Sequence, residues 1–371
     1  MKIAIMVGTR PEAIKMAPVV RAFRAETQYE VILCSTGQHK DMLTQALLDF
    51  GLEPDVDLSV MASGQTLARL TKTLMARVDE FYETFRPDWV FVQGDTTTVF
   101  VAALAAFYRH VKVAHVEAGL RSFDKLSPFP EEVNRRLTGT LTNIHFAPTS
   151  IARNNLLAEG IAEDSVMIVG NTVIDALLWI RDSVQGKFEI LPDAVQKQIM
   201  ANQKIVLCTT HRRENWGEPL RNICDALLNV VRDHEDVSVV LPMHLNPVVR
   251  NTIEQRLGGH DRIILIEPQP YKSFVLLMSH AHLILSDSGG VQEEAPSFNV
   301  PVLIMRDNTE RPEGVQAGVA KLVGTQKSSI SSAVHTLLQD DSAYLKMTTR
   351  DNPYGDGKAA QKILHFFKEN A

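Results

Sequence analysis

Short apolar runs alternate with longer stretches of helical spacing from one end of the chain to the other. Lys2–Val7, Glu30–Ser35, Asp88–Gln93, Val111–Val116 and Val166–Val169 are rich in Val, Ile and Phe and lack polar alternation. Strands buried on both faces of a parallel sheet read this way, because helices cover both sides. Between them, Pro11–Arg24, Lys40–Phe50, Thr66–Phe85, Thr97–Tyr108 and Ser150–Glu159 place apolar residues three and four apart, the period of a helix with one buried face. Pro11 suits a first helical turn, where its missing N–H has no partner to lose, and Pro87 and Gly160 mark helix ends. After the mixed-polarity stretch Gln185–Asn202 a second series begins. Its strands are Lys204–Cys208, Val237–Leu241, Ile263–Ile266, Leu283–Leu285 and Pro301–Met305; its helical patterns are Leu220–Arg232, Val248–Leu257, Phe274–His280 and Val291–Phe298. Two such series predict an α/β protein of two doubly wound, Rossmann-like domains facing each other across a cleft.

In open α/β sheets ligands bind beyond the carboxyl ends of the strands, and there the ionisable residues gather. The first strand runs into Gly8-Thr9-Arg10-Pro11-Glu12, with Lys15 close behind. The Asp88 strand ends in Gly94-Asp95-Thr96, and the Val111 strand in His115-Val116-Glu117. In the second series Lys204–Cys208 leads to His211-Arg212-Arg213, Val237–Leu241 to His244, and Leu283–Leu285 to Asp287-Ser288-Gly289-Gly290. Singly, each has a plain structural explanation: Asp95 as the cap of the following helix, Glu117 as a loop carboxylate, His211 as a polar strand end. Together, at equivalent edges of both sheets, they point to a site. Glu131 and Arg135 are spaced to share a helix face beginning near Pro130, as an ion pair or as site residues. The paired glycines before a helical Val291-Gln292-Glu293-Glu294 suit close approach to phosphate oxygens, with Glu294 placed to accept ribose hydroxyls. Arg306 and Arg311 add positive charge nearby.

Composition excludes several classes. Of 371 residues, 38 are Lys or Arg and 44 Asp or Glu, a net charge of −6, so nothing favours coating nucleic acid or anionic lipid. The longest uncharged apolar run, Val99–Tyr108, is far short of the ~20 residues that span a bilayer. No signal-peptide pattern is present, and Cys34, Cys208 and Cys224 form no close-spaced pair; a cytoplasmic protein with small buried cysteines is expected. Absent too are the glycine fingerprint of nicotinamide enzymes, the P-loop, the zinc-protease motif and the nucleophile elbow. Tyr108 and Lys112 have a dehydrogenase spacing, but Lys112 opens a strand. No cofactor and no metal are expected.

In order along the chain, Gly8-Thr9-Arg10-Pro11-Glu12-Ala13-Ile14-Lys15, Gly94-Asp95-Thr96-Thr97-Thr98, His115-Val116-Glu117-Ala118-Gly119-Leu120-Arg121 and Pro130-Glu131-Glu132-Val133-Asn134-Arg135 resemble the non-hydrolysing UDP-N-acetylglucosamine 2-epimerases. So do Gly170-Asn171-Thr172, His211-Arg212-Arg213-Glu214-Asn215, Asp287–Glu294, Thr309–Gly314 and Asn352-Pro353-Tyr354-Gly355-Asp356-Gly357. The resemblance implies a glycosyltransferase-B type fold. Residues 1–170 would carry the catalytic carboxylates, 171–357 would bind uridine diphosphate (UDP), and the last helix, about 358–371, would pack back on the first domain. It implies Arg10, Lys15, Asp95, Glu117, Glu131, Arg135 and His211 at the reaction site, and Gln269, Phe274, Ser288, Gly289, Gly290, Glu294 and Arg311 around UDP. A regulatory UDP-N-acetylglucosamine would meet Gln38, His39, Arg212 and His244; Asp41 and Gly64 depart from residues that some members carry there. A homodimer serving a surface-polysaccharide pathway is likewise implied.

The implied reaction inverts C2 of an N-acetylhexosamine, whose proton is not next to a carbonyl. Breaking the C1–O bond to UDP acidifies it, and its loss leaves 2-acetamidoglucal, open to re-addition on either face. Carboxylates for proton transfer and cations for the departing diphosphate are then required. A UDP-sugar glycosyltransferase on the same fold would share the nucleotide site but need an acceptor pocket. A sugar sensor would need no carboxylate cluster, a hydrolysing epimerase would release free sugar, and a 2,3-diacetamido sugar is an alternative substrate.

Overall fold

Unalternating apolar strands pair side by side in parallel, and the computed structural model, which describes residues 1–37, 40–62 and 64–370, contains two such sheets. The first is built from β1 (Lys2–Val7), β2 (Glu30–Ser35), β3 (Val56–Asp57), β4 (Trp89–Gln93), β5 (Lys112–Val116), β6 (Ile144–Ala147) and β7 (Val166–Ile168). Their order is β3-β2-β1-β4-β5-β6-β7, parallel throughout. The second is built from β8 (Lys204–Thr209), β9 (Val237–Pro242), β10 (Ile263–Ile266), β11 (Ala281–Ser286), β12 (Val302–Ile304) and β13 (Ala320–Leu322), in the parallel order β10-β9-β8-β11-β12-β13. In each sheet the chain works outward on one side and then returns to the other. The strand order reverses between β1 and β4, and again between β8 and β11, and the loops leaving those strands diverge.

The chain forms two compact units, Met1–Leu178 with Tyr354–Ala371, and Trp179–Pro353. The division falls inside the helix Thr172–Val184, whereas the sequence pattern suggested 170. Among the described residues no helix is long and apolar enough to cross a membrane, and the three cysteines are buried thiols.

Local chemistry explains the element ends that matter for the site. The helix Arg10–Arg24 follows β1 with Pro11 in its first turn, and Thr9 and Glu12 form a capping box around its free N–H groups. The helix Thr97–Tyr108 is capped by Thr96, whose hydroxyl accepts the Val99 N–H at 3.5 Å. Asp95 therefore does not cap it. The helix expected over Val291–Phe298 starts two residues earlier and divides into Gly289–Glu294 and a 3-10 turn, Ala295–Phe298, where Pro296 supplies no N–H.

The final helix, Ala359–Asn370, lies on the first sheet. Phe367 is buried in an aromatic cluster, its ring centroid 4.9 Å from Phe91, 5.0 Å from Trp89, 5.6 Å from Phe23 and 6.2 Å from Phe146. Three of these partners come from strands and one from the first helix, so the terminal helix closes a core begun by the first residues of the chain. Phe367→Ala should destabilise the protein by about 3–5 kcal/mol. Urea unfolding checks this; a midpoint like that of the unmodified chain would show that the helix adds little to the core.

Candidate functional site

In the first unit the polar residues at the switch point form a web in which carboxylates are met by fixed donors. Glu117, just past the end of β5, is buried and has left-handed backbone, φ 62°, a conformation costing a non-glycine residue about 1–3 kcal/mol. Its two oxygens accept from Lys15 Nζ at 2.8 and 2.6 Å. Gln93 Nε2, at the end of β4, donates to the same carboxylate, and Asn171 Nδ2 lies 3.5 Å from it. Asp95, in the turn after β4, is bound by Arg135 through Nε at 3.0 Å and through Nη2. The third guanidinium nitrogen, Nη1, donates to Glu132 at 3.1 Å.

The ion pair that the spacing of Glu131 and Arg135 would allow is not made. Arg135 turns to Asp95 and Glu132, one residue further along, is the buried carboxylate, accepting the Ser122 and Phe123 N–H groups at 2.9 and 3.2 Å. Glu132 thereby ties the loop leading to the helix Glu131–Leu141 to that helix's first turn. Glu131 is half-buried and has no hydrogen bond or ion pair from its carboxylate among the described residues. Arg10, first residue of its helix, is half-buried with its guanidinium likewise unengaged there.

Two buried groups shape the same edge without having been marked in the sequence. Burial pushes the Glu12 carboxyl up to about 7, against hydrogen bonds from Thr96 and from the Gly8 and Thr9 N–H groups, while the nearby Asp95 charge adds to the rise. His115, on β5, holds the Gly94 carbonyl through Nε2 at 2.7 Å, which fixes the turn that presents Asp95. Opposite it in register on β6 stands His145. Burial, and the neighbouring Arg121, depress His115 to about 4; burial and the two neighbours His115 and Arg121 depress His145 to about 3.

In the second unit one carboxylate organises the switch point. Asp287, fully buried after β11, accepts from Thr210 Oγ1 at 3.1 Å, from the His211 and Arg212 N–H groups, each at 3.0 Å, and from Asn215 Nδ2 at 2.9 Å. His211 Nδ1 lies 2.8 Å from its other oxygen. Burial would raise the Asp287 pKa, but the hydrogen bonds and positive charge of His211, with the backbone donors, hold it below the usual carboxylate range. The His211 ring is half exposed and presents Nε2 outward from a fixed Nδ1 contact.

Around the following loop Arg311 donates to Glu293 at 2.6 Å and to Glu310 at 2.8 Å; Glu310 also binds Arg212 and Arg306, each at 2.8 Å. Against the cost of burial, Arg311 foremost, with Arg212 and Arg306, holds the Glu310 carboxyl at about 2. Gly289 leaves room for the Arg311 guanidinium: a Cβ there would lie 2.3 Å from Arg311 Nη1, which would have to move. The close approach expected of a ligand is thus already made by a side chain of the protein, while a Cβ on Gly290 would meet Ser288 Oγ at an ordinary contact distance of 3.9 Å. Glu294 accepts from Tyr271 at 2.8 Å, and Ser288 begins the short helix without a side-chain cap bond. Phe274 is half-buried on the helix Tyr271–Ser279, Gln269 bonds the Glu267 carbonyl, and His244 Nδ1 accepts the Asn246 N–H, leaving the proton on Nε2. Gln38 and His39 lie outside the described residues.

Signals for the unmarked residues were weak. Asp287 was quoted only as the start of a glycine turn, and Gln93, Glu12 and Glu132 each adjoin a marked residue while looking ordinary.

Two parallel α/β units, each with charged groups at its switch point, define an enzyme of the glycosyltransferase-B-like class. The sequence model of a family described as UDP-N-acetylglucosamine 2-epimerase matches residues 21–368. The UDP-N-acetylglucosamine 2-epimerase of Yersinia pestis is 50% identical over 372 residues, covering 100% of this chain and 99% of that protein. The crystal structure of the Neisseria meningitidis UDP-GlcNAc 2-epimerase bound to UDP-GlcNAc matches with a TM-score of 0.89 at 45% identity, each chain covered in full. A Listeria monocytogenes structure of the same described activity matches with a TM-score of 0.93 at 46% identity, over 99% of this chain and 96% of that one. The chain belongs to the UDP-N-acetylglucosamine 2-epimerase family, and it is an enzyme of the isomerase class.

Both buried histidines should resist protonation. Their pKa values are lowered on folding, so the stability they contribute is complete above about 6.5 and is lost as the pH falls toward 4. Glu12 acts in the opposite sense, losing stability as the pH rises from its ordinary range toward 7. The site-resolved measurement is therefore the informative one: imidazole NMR at pH 5.5 should find His115 and His145 neutral. Charged imidazoles at both positions in the folded protein would contradict the packing described.

Proposed function

We propose that the enzyme interconverts UDP-N-acetylglucosamine and UDP-N-acetylmannosamine by eliminating UDP and adding it back. The observation that carries this reading is the first unit's edge, where Lys15 binds Glu117 and Arg135 binds Asp95, with Arg10 on the helix of Lys15 and Glu131 on the helix of Arg135. The Neisseria relative bound to UDP-GlcNAc supports the substrate.

In the forward direction the C1–O bond breaks with its electron pair leaving on UDP, and an oxocarbenium-like C1 makes the C2 proton acidic. A carboxylate takes that proton, and the C2–H pair becomes the C1=C2 bond of 2-acetamidoglucal. In the second half a carboxylic acid returns a proton to the opposite face of C2, its electron pair coming from the C1=C2 bond, and the diphosphate oxygen attacks C1 on the face it left. Asp95, Glu117 and Glu131 serve proton transfer and oxocarbenium stabilisation. Lys15 pairs with the Glu117 carboxylate, Arg135 holds that of Asp95, and Arg10 is available to the diphosphate. His211, fixed through Nδ1 by Asp287, offers Nε2–H to the departing oxygen.

UDP would be held by the second unit. Arg311 and the Ser288-Gly289-Gly290 turn would meet phosphate oxygens, Glu294, oriented by Tyr271, would accept the ribose hydroxyls, and Gln269 and Phe274 would meet the base. Arg212 and His244 would meet a second, regulatory UDP-N-acetylglucosamine. The acting species is a cytoplasmic homodimer without metal or nicotinamide, and its product enters a surface polysaccharide.

Incubation with UDP-N-acetylglucosamine alone in D₂O tests the reaction class by NMR. Epimerisation should give UDP-N-acetylmannosamine carrying deuterium at C2. Free N-acetylmannosamine would indicate a hydrolysing enzyme, and an untouched C2–H a glycosyltransferase or a sensor. Asp95→Asn, Glu117→Gln and Glu131→Gln should each lower kcat by ~10²–10⁴-fold with the fold intact; near-normal turnover in one of them removes that residue from the mechanism.

A further inference from the structure

Two motifs, Gly170-Asn171-Thr172 and Asn352–Gly357, have no part in the steps above; the first packs against Tyr354-Gly355 of the second within the first unit. The chain leaves that unit along Thr172–Val184 and re-enters it at Tyr354. At this joint the Asn171 N–H donates to the Tyr354 carbonyl at 2.6 Å. Gly170, φ 93°, and Gly355, φ 149°, permit the contact: a Cβ on Gly170 would lie 3.2 Å from Gly355 Cα, and one on Gly355 would lie 3.4 Å from Asn171 N. Asp175 then accepts the Ala359 and Ala360 N–H groups at 3.1 and 2.8 Å, fastening the outgoing helix to the start of the last one.

The buried Asn171 side chain connects this joint to Glu117. Its Oδ1 accepts the Val173 N–H at 3.1 Å, and its Nδ2 lies 3.5 Å from Glu117 Oε1. A backbone N–H only donates and a carboxylate only accepts, so the amide has one orientation. Lys15 brings a compact charge on a flexible stem, which neutralises Glu117 but leaves the carboxylate plane free to turn. Directional amides do the rest: Gln93 on Oε2 and Asn171 on Oε1 set that plane.

We infer that Asn171 is a positioning residue for the epimerase reaction, setting the orientation of the Glu117 carboxylate from the joint where the chain passes between its two units. The inference rests on the role given to Glu117 above. A displacement of the joint backbone reaches Glu117 through a single side chain.

Asn171→Asp isolates this role. Aspartate keeps the Val173 N–H acceptor, being a good helix cap, and the backbone bond to Tyr354; it loses the amide donor to Glu117 and replaces it with a like charge. Among the described residues, the titratable groups facing Glu117 include Lys15 from the first helix and the neutral, buried His115 from β5, while Gln93 does not ionise. Asn171→Asp, which buries a second carboxylate beside Glu117, should lower the urea midpoint while remaining folded, whereas KM should stay within about twofold. Its kcat should fall by ~10–10²-fold, and the acidic limb of its pH profile should move up by about one unit. Asn171→Ser, which also keeps a cap but has no amide, should lose turnover as well, and adding Asn171→Asp to Glu117→Gln should change nothing further. Unchanged kcat and pH profile in both Asn171 variants, with Glu117→Gln impaired, overturns this inference alone. Near-normal turnover of Glu117→Gln overturns the role of Glu117 and the inference with it.

Discussion

A carboxylate can be buried at the edge of a sheet only when fixed donors surround it, and that requirement organises both halves of this protein. Desolvation of an unpaired carboxylate is severe. Asp287 meets it with hydroxyl, amide and two backbone N–H groups and an imidazole. Glu132 meets it with two backbone N–H groups and Arg135, and Glu117 with Lys15 and Gln93. Each cage also shapes a loop. The donors around Asp287 come from the loop that carries His211 and Arg212, so burying one acid presents the imidazole.

These cages separate carboxylates by freedom. Asp95 and Glu117 are each held against a cation, whereas Glu131 projects from the first turn of its helix with no partner among the described residues. Held anions act best as preorganised electrostatics, and an unengaged acid exchanges its proton most readily. The strained backbone of Glu117 belongs to the same pattern, since a left-handed residue at a strand end persists only where its neighbours determine it.

Much of the fold was legible because long buried strands and one-sided helices leave strong periodic signals. The central strands β1, β2, β4, β5, β8 and β9 were recognisable within a residue at each end. Two 13-residue helices, Thr172–Val184 and Lys327–Gln339, went unmarked, and the other elements that escaped were short or interrupted. β3 has two residues, β6 carries His145 among its apolar positions, and His282 broke the beginning of β11. The helix Asp193–Met200 lay unseen in a stretch of mixed polarity because it buries Val195 alone completely. At the site, residues at strand ends could be marked, but their partners could not. Spacing allowed Glu131 to pair with Arg135; the folded backbone brings Asp95 to it from 40 residues away.

By itself the sequence determined the parallel α/β class, the two series of elements and the edges at which ionisable residues would collect, because hydrophobic period and turn chemistry are local properties of the chain. Ordered motifs along nearly its whole length determined the family as well. Only the tertiary structure decided which acid is caged and by whom, that Arg311 already fills the space beside Gly289, and that Asn171 joins Glu117 to the crossing point of the chain. Those are encounters between residues distant in sequence. A side chain's type states which partners it can accept, but only the packed backbone states which of them arrives.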